Sequence, residues 1–480
     1  MELTLSFWSI IIGLSLLMLM AYRGHSVIWV APFCAAIVAL ISALDMSPEQ
    51  LGGQTILQYV LATYVGDYMR GTAGFFTNWF PAFFLGAVYG KVMDMTGSAR
   101  SLANWLVSKI GPERAVAAVA IPCMLMTYGG ISLFVVVFVI YPMGYAIYRE
   151  ANLPRTLLPS VIAFGAFGIT MTSVPGTPQI QNIIPTTFYG PEAVAAATAR
   201  LTEQGIDIPV AFAGSTPMAA PVMSIVGMII MGSLGYLYLE WRARKSRAQG
   251  LGFVEDPKFV EVAQDRDKLP SWHWLSGLLP LVVVVILLNF TMQDIPAQSR
   301  MVPALLGGIL TCCLMNIQQA EVLLPSISAG ANGSLVAIMN TSCAVGFGSV
   351  VRIVPGFAAL TALMMGLGGN ILVSQAVAVN ILAGATGSAS GGMGIALEAL
   401  GPQYLDRALA IGMNPEWLHR IASIASGGMD TMPHNGAVLT LFAVSNCTHK
   451  ESYFDIFILN VLVPTACSLL LAVVWGGFLI

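Results

Sequence analysis

The chain is written in long apolar runs, and four of them are interrupted at places where a membrane helix has no reason to stop. The apolar segments are Leu5–Ala21, Val27–Leu44, Phe75–Val92, Val116–Thr127, Leu133–Ile147, Leu157–Thr172, Met218–Leu239, Leu275–Asn289, Val302–Met315, Leu335–Val350, Ile371–Thr386 and Phe454–Phe478. A spanning helix needs about 20 predominantly apolar residues, so several of these must borrow neighbours to cross a bilayer. Only 9% of the residues are charged, against roughly 25% in soluble domains. The pattern predicts an all-α polytopic membrane protein lodged in a lipid bilayer. A formal net charge of −3 argues against a nucleic-acid partner.

Leu5–Ala21 has the length of a signal peptide but lacks a positive leading region and a small-residue cleavage site, so it is expected to be a retained span. The seven cysteines show no metal-ligand spacing. Cys312 and Cys313 are expected to be small buried apolar residues. No cofactor is implied.

Charge collects in one place. Thirteen of the 45 charged residues lie in "EWRARKSRAQGLGFVEDPKFVEVAQDRDKLP", Glu240 to Pro270. Arg242, Arg244, Lys245 and Arg247 follow a span directly, which places this linker in the cytoplasm by the positive-inside rule. It also divides the chain, and the two sides read alike. "GKVMDMTGSARSLANWLVSKIG" (Gly90–Gly111) resembles "GSVVRIVPGFAALTALMMGLGG" (Gly348–Gly369), and the same offset of 258 carries Pro175 onto Pro433. The expected organisation is N-terminal helices over 1–51, a first repeat over 52–239, the linker over 240–270, a connecting helix over 271–300 and a second repeat over 301–480. The two repeats are expected to be of inverted topology, with re-entrant hairpins and broken helices.

The four interruptions are "TYGGIS", "TMTSVPGTPQIQN", "GATGSASGGMG" and "SGGMDTMPHNG". Backbone that leaves the helix inside a bilayer is tolerated only where protein or an aqueous cavity surrounds it. Matched interruptions in two halves point to a transporter's binding site. Broken helices present free amides and a positive dipole end, which suit an anion. The candidate substrate ligands are Gly129, Gly130, Ser132, Ser173, Thr177, Gln179, Asn182, Thr386, Ser388, Ser390, Gly391 and Asn435. Single Gly–Ser runs more often serve close helix packing; four breaks in two matched pairs reverse that preference. Asp430 and His434 flank a proline, and ionisable groups at membrane depth are costly and functional by default, so they are the candidates for proton coupling. Lys91 and Asp94 are expected to pair. Arg352 is expected to snorkel, His25, His273 and His449 to be interfacial, and His419–Arg420 to lie on a membrane-edge helix opened by Asn414–Pro415.

At this point the residues resemble a known family. "GKVMDMTGSARSLANWLVSKIG", "GISLFVVVFVIYPM", "LPSVIAFGAFGITMTSVPGTPQIQNIIPT", "GATGSASGGMGIAL" and the tail "HNGAVLTLF…CTHKESYFDIFIL" are similar, in order, to the gluconate permeases of the ion transporter superfamily, over most of the chain from Tyr22 onward. The resemblance implies proton-coupled uptake of small hydroxy acids across the bacterial inner membrane, by inverted repeats, in a superfamily where homodimers are common. The first break lacks the family's histidines, and the second reads Met-Pro-His-Asn-Gly. Both departures fall where substrate should bind, and favour a smaller monocarboxylate such as 3-hydroxybutyrate over gluconate. A sodium-coupled carrier of di- or tricarboxylates and an anion channel are the alternatives. No protease motif lies in the hairpins, so the chain is not expected to be an enzyme.

Overall fold

The computed structural model describes residues 4–23, 25–131, 133–256, 270–366, 370–433 and 435–477. Among them there are helices and no strand. Helices α1 (Leu5–Tyr22) and α2 (Val27–Ala43) pack side by side. A short α3 (Ile56–Thr63) passes through a wide π turn at Tyr64–Tyr68 into the long α4 (Met69–Met95). Then come α5 (Ser98–Ile110), α6 (Ala115–Tyr128) and α7 (Leu133–Glu150). Helix α8 (Leu158–Ala163) unwinds through a π turn at Phe164–Ile169 before α9 (Ile180–Tyr189), α10 (Pro191–Glu203) and α11 (Pro221–Ala248). Helices α12 (Trp274–Phe290) and α13 (Ala297–Met315) form the next pair.

The second series is α14 (Ala320–Ile353), α15 (Phe357–Gly366), α16 (Ile371–Thr386), α17 (Ala389–Ala410), α18 (Pro415–Ser426), α19 (Gly436–Ser445), α20 (His449–Phe457) and, after a π turn at Ile458–Leu462, α21 (Val463–Gly477). Its order repeats that of the first: long helix, short helix, two-helix hairpin, broken helix. Helix α6 ends at Tyr128 and α16 at Thr386, 258 residues apart. Pro175 and Pro433 each fall in the gap of a broken helix. The first series departs by inserting α10 and the loop before α11.

Among the described residues, four stretches are long and apolar enough to cross a membrane: α11, α13, the run Ile317–Ile353 containing α14, and His449–Gly477 containing α20 and α21. Seven shorter apolar helices accompany them. On α11 the exposed residues include Val222, Ile225, Ile229 and Leu237, and on α13 Leu306, Leu310 and Leu314. Outward-facing apolar stripes at helical spacing are what a lipid environment demands.

Helices α4 and α14 are the most closely packed pair. A Cβ on Gly71 would strike Ser349, one on Gly346 would strike Thr72, and one on Gly330 would meet the backbone of Val88. With no hydrophobic drive between helices in lipid, such small-residue contacts let dispersion forces act at close range.

Several expectations are corrected. His419 and Arg420 of α18 are not exposed: both are fully buried in the protein, because α9, α16, α17 and α21 all pack against that helix. His273 is buried, held by Ser101 at 2.7 Å and Asn316 at 2.9 Å. Arg352 pairs with Glu398 at 3.1 Å. The linker does not begin as a loop, since α11 continues to Ala248; residues 257–269 lie outside the described residues. Lys91 and Asp94 do pair, at 3.1 Å.

Candidate substrate and coupling site

The two hairpin tips each meet the gap of the neighbouring broken helix. In the first assembly the tip is Gly129–Gly130, with Gly130 at φ +90°, a conformation open to glycine at little cost. A Cβ there would stand 2.9 Å from Pro178 of the gap. Gln179 Nε2 donates to the Thr127 carbonyl at 2.7 Å, and Thr177 Oγ1 to the Tyr128 carbonyl at 3.5 Å. In the second assembly the tip is Gly387, at φ +59°. Asn435 Nδ2 donates to its carbonyl and to that of Asp430, both at 2.9 Å. Asn435 Oδ1 accepts from the amides of Ala437 and Val438 and so caps α19. The two gaps touch where a Cβ on Gly427 would come 2.6 Å from Thr172.

Half of the twelve expected substrate ligands therefore hold backbone with their side chains. Besides Gln179, Thr177 and Asn435, Asn182 donates to the Thr177 and Pro217 carbonyls at 2.9 Å. Ser388 accepts from the Gly391 amide at 3.2 Å, and Thr386 donates to Leu382 at 2.9 Å. Ser390 faces Thr341 of α14 at 3.4 Å. Ser173 Oγ is buried with no partner. The Gln179 side chain does not cap α9; the Gln179 amide bonds Thr177 Oγ1 at 3.4 Å and the Asn182 amide the Gln179 carbonyl at 2.9 Å, which leaves those of Ile180 and Gln181 as the orphans of a helix start. Ser132 and His434 lie outside the described residues. Nothing described joins Thr177, Ser388, Ser390 and Asn435 in a single cavity; they divide between the two assemblies.

The first gap is fastened by residues that sequence reasoning placed elsewhere. Arg420 donates to the Thr172 carbonyl at 3.2 Å and, through Nε and Nη2, to the Ala219 carbonyl at 3.3 and 3.1 Å. Glu416, one turn earlier, accepts from the Ala220 amide at 2.9 Å. Together they hold Ala220 in the left-handed region at φ +42°, a conformation costly for any residue with a Cβ. His419 lies 3.3 Å from Asn182 Oδ1 and 3.1 Å from Ser215 Oγ. The two bonds donated by Asn182 assign its oxygen, which makes His419 Nε2 the donor and Nδ1 the acceptor from Ser215. One signal was available: His419 and Arg420 stand at the head of a run of Ile, Ala and Ser that leads straight into a break.

The second gap is less well satisfied. Asp430 is 4% exposed and its Oδ1 has no hydrogen-bond partner. Asn460, in the π turn before α21, has neither side-chain atom bonded. Its backbone carbonyl accepts from Thr431 Oγ1 at 3.0 Å, and a Cβ on Gly168 would lie 3.3 Å from its Oδ1. His449 Nε2 lies 2.8 Å from the Pro433 carbonyl, and Tyr453 donates to that of Thr431 at 3.1 Å. His449 thus belongs to this gap. Orphaned polar atoms at full burial are rare and call for an explanation. A surface groove of about 590 Å³ between α10 and residues 206–213 is lined by none of these residues.

Helical hairpins facing broken helices, in a chain with lipid-compatible outer stripes, define a membrane transporter and not an enzyme. The chain is 38% identical to the uncharacterized transporter YxjC of Bacillus subtilis (strain 168), over 97% of this chain and 98% of that protein, and it belongs to that transporter family. No family model matches it. Its fold is similar to that of the Alcanivorax borkumensis YdaH transporter, described as having an unusual topology (TM-score 0.54, 16% identity, 88% of this chain and 89% of that one). It is similar as well to Neisseria gonorrhoeae MtrF, of a class of antimetabolite efflux pumps (TM-score 0.53, 12% identity, 98% and 95%).

Proposed function

We propose that this protein is a secondary active carrier of a small monocarboxylate of the 3-hydroxybutyrate type, coupled to protons through Asp430. The observation that carries the reading is the buried carboxyl oxygen of Asp430, left without a partner in the gap of a broken helix. A neutral carboxyl is far cheaper to bury than a carboxylate, so a proton taken up on one side and released on the other would link protonation to loading. The substrate carboxylate would meet the uncapped start of α9 and the hairpin tips, where backbone amides and Ser390 are nearest. The resemblance to gluconate permeases supports a hydroxy acid. The two series would be related by an axis in the membrane plane, exchanging access from one face to the other.

The test is uptake into proteoliposomes with an imposed pH gradient, compared with counterflow without one. Asp430→Asn is expected to lose pH-driven accumulation and to keep downhill exchange. Accumulation with an unshifted pH profile in that variant would remove Asp430 from coupling. Accumulation that follows a sodium gradient instead would favour the sodium reading, for which Asn460 offers an unbonded amide oxygen. Ser390→Leu is expected to abolish both modes while expression holds; unaltered kinetics would assign the glycine–serine tip to packing.

A further inference from the structure

Between the close pair α4/α14 and the arms α9 and α17 lies a cavity of about 230 Å³. At about 30 Å³ per water it has room for a small organic acid. Phe75 and Trp79 of α4 and Phe188 of α9 give it an aromatic wall. Its polar lining includes two charged groups, Arg70 and Glu398. Glu398 is neutralised by Arg352 at 3.1 Å. Arg70 has no carboxylate partner among the described residues, so the cavity carries one uncompensated positive charge.

The inner end has an address. Val345 and Gly394 line it. Thr341 precedes Val345 by four residues on α14, and Ser390 precedes Gly394 by four on α17. These two hydroxyls face each other at 3.4 Å. One helical turn, about 5.4 Å, therefore separates the cavity from the second hairpin tip.

We propose that this cavity is a vestibular binding site for a small monocarboxylate. Arg70 holds the carboxylate, the aromatic wall takes the apolar part, and the site loads the hairpin tip one turn deeper. The proposal rests on the carboxylate reading of the carrier. It explains why, of two arginines near the cavity, one is paired and the other is left unpaired. It also makes Gly74, which lines the cavity, a point of control: a Cβ there meets nothing within 4 Å. The position therefore admits a Cβ, from which a larger side chain extends beside the cavity, and leucine favours a helix over glycine.

Butyrate and its neutral analogue butyramide are titrated into the full-length purified protein while Trp79 emission is followed as the difference between wild type and Trp79→Phe. Butyrate is expected to give a saturable change and butyramide none. Arg70→Gln and Gly74→Leu should each raise the butyrate Kd at least tenfold, Arg70→Lys should restore much of it, and Ser390→Leu should leave the signal in place. No response to butyrate in the wild type, an unshifted Kd in Arg70→Gln, or loss of the response in Ser390→Leu would each overturn the vestibule. The carrier reading fails separately, by absent uptake in proteoliposomes, and that failure leaves the binding signal intact.

Discussion

The two broken helices are built from similar parts and finished differently. The first gap, residues 170–179, is fastened from outside by Arg420, Glu416, Ser423 and His419. Ser423 alone donates to the Thr172 carbonyl at 2.8 Å and the Gln181 carbonyl at 3.0 Å. The second gap, residues 427–435, is fastened mainly from within, by Asn435. It leaves Asp430 Oδ1 and the whole Asn460 amide unbonded, against the single Ser173 hydroxyl left unbonded within the first gap. A satisfied polar network rigidifies, and a partly satisfied one is free to change state. The comparison assigns the first gap to holding shape and the second to changing charge.

The strongest way to break this contrast is Arg420→Ala. It removes the charge-assisted bonds to the Thr172 and Ala219 carbonyls, worth roughly 1.5–3 kcal/mol each, and leaves those carbonyls to Ser423 and Ser224 alone. A loss of about 3–5 kcal/mol in total is expected, seen as early unfolding on heating. A thiol-reactive dye reads this out, because six of the seven cysteines are buried. An Arg420→Ala protein that melts with the wild type would mean that the first gap does not depend on its outer fastening.

A smaller effect should separate the two inner amides. Asn435→Ala removes a helix cap and two bonds to the second gap, for about 2 kcal/mol. Gln179→Ala removes a good bond and a marginal one from the first, for about 1 kcal/mol. The same melting assay ranks them. A reversed order would show that the second gap is held by α20 and α21 and not by its own cap. The smallest change is expected at Asp430→Asn, which keeps a neutral polar group in place and should move stability by less than about 1 kcal/mol while removing pH-driven accumulation. Large destabilisation there would make Asp430 structural and erase the distinction.

Much of this layout was legible from the chain. Gly130, Gly387, Pro175 and Pro433 announce breaks because backbone outside a helix has few other excuses at membrane depth. The prolines recur at an offset of 258 and the Gly–Gly pairs at 262, from which matched breaks in two repeats were expected. The sites were less legible. Asn182, Asn435, Thr177 and Gln179 were read as substrate ligands by residue type, yet they bond carbonyls, because a broken helix must first satisfy its own backbone. His419 and Arg420 looked like edge residues, since a cation beside Asn–Pro usually marks a helix end near water.

The sequence by itself determined the solvent, the helical class, the places where helices stop and the pairing of those places in two series. Each of these follows from local rules, namely apolar length and the chemistry of glycine and proline. Only the tertiary structure decided which polar groups are spent and which remain. Burial and bonding depend on neighbours hundreds of residues away: Thr172 of the first gap is bonded by Arg420 and Ser423 of the helix that leads into the second. Asp430 was already a coupling candidate as an ionisable group in an apolar run; what the tertiary structure adds is that none of the described residues offers its Oδ1 a hydrogen bond.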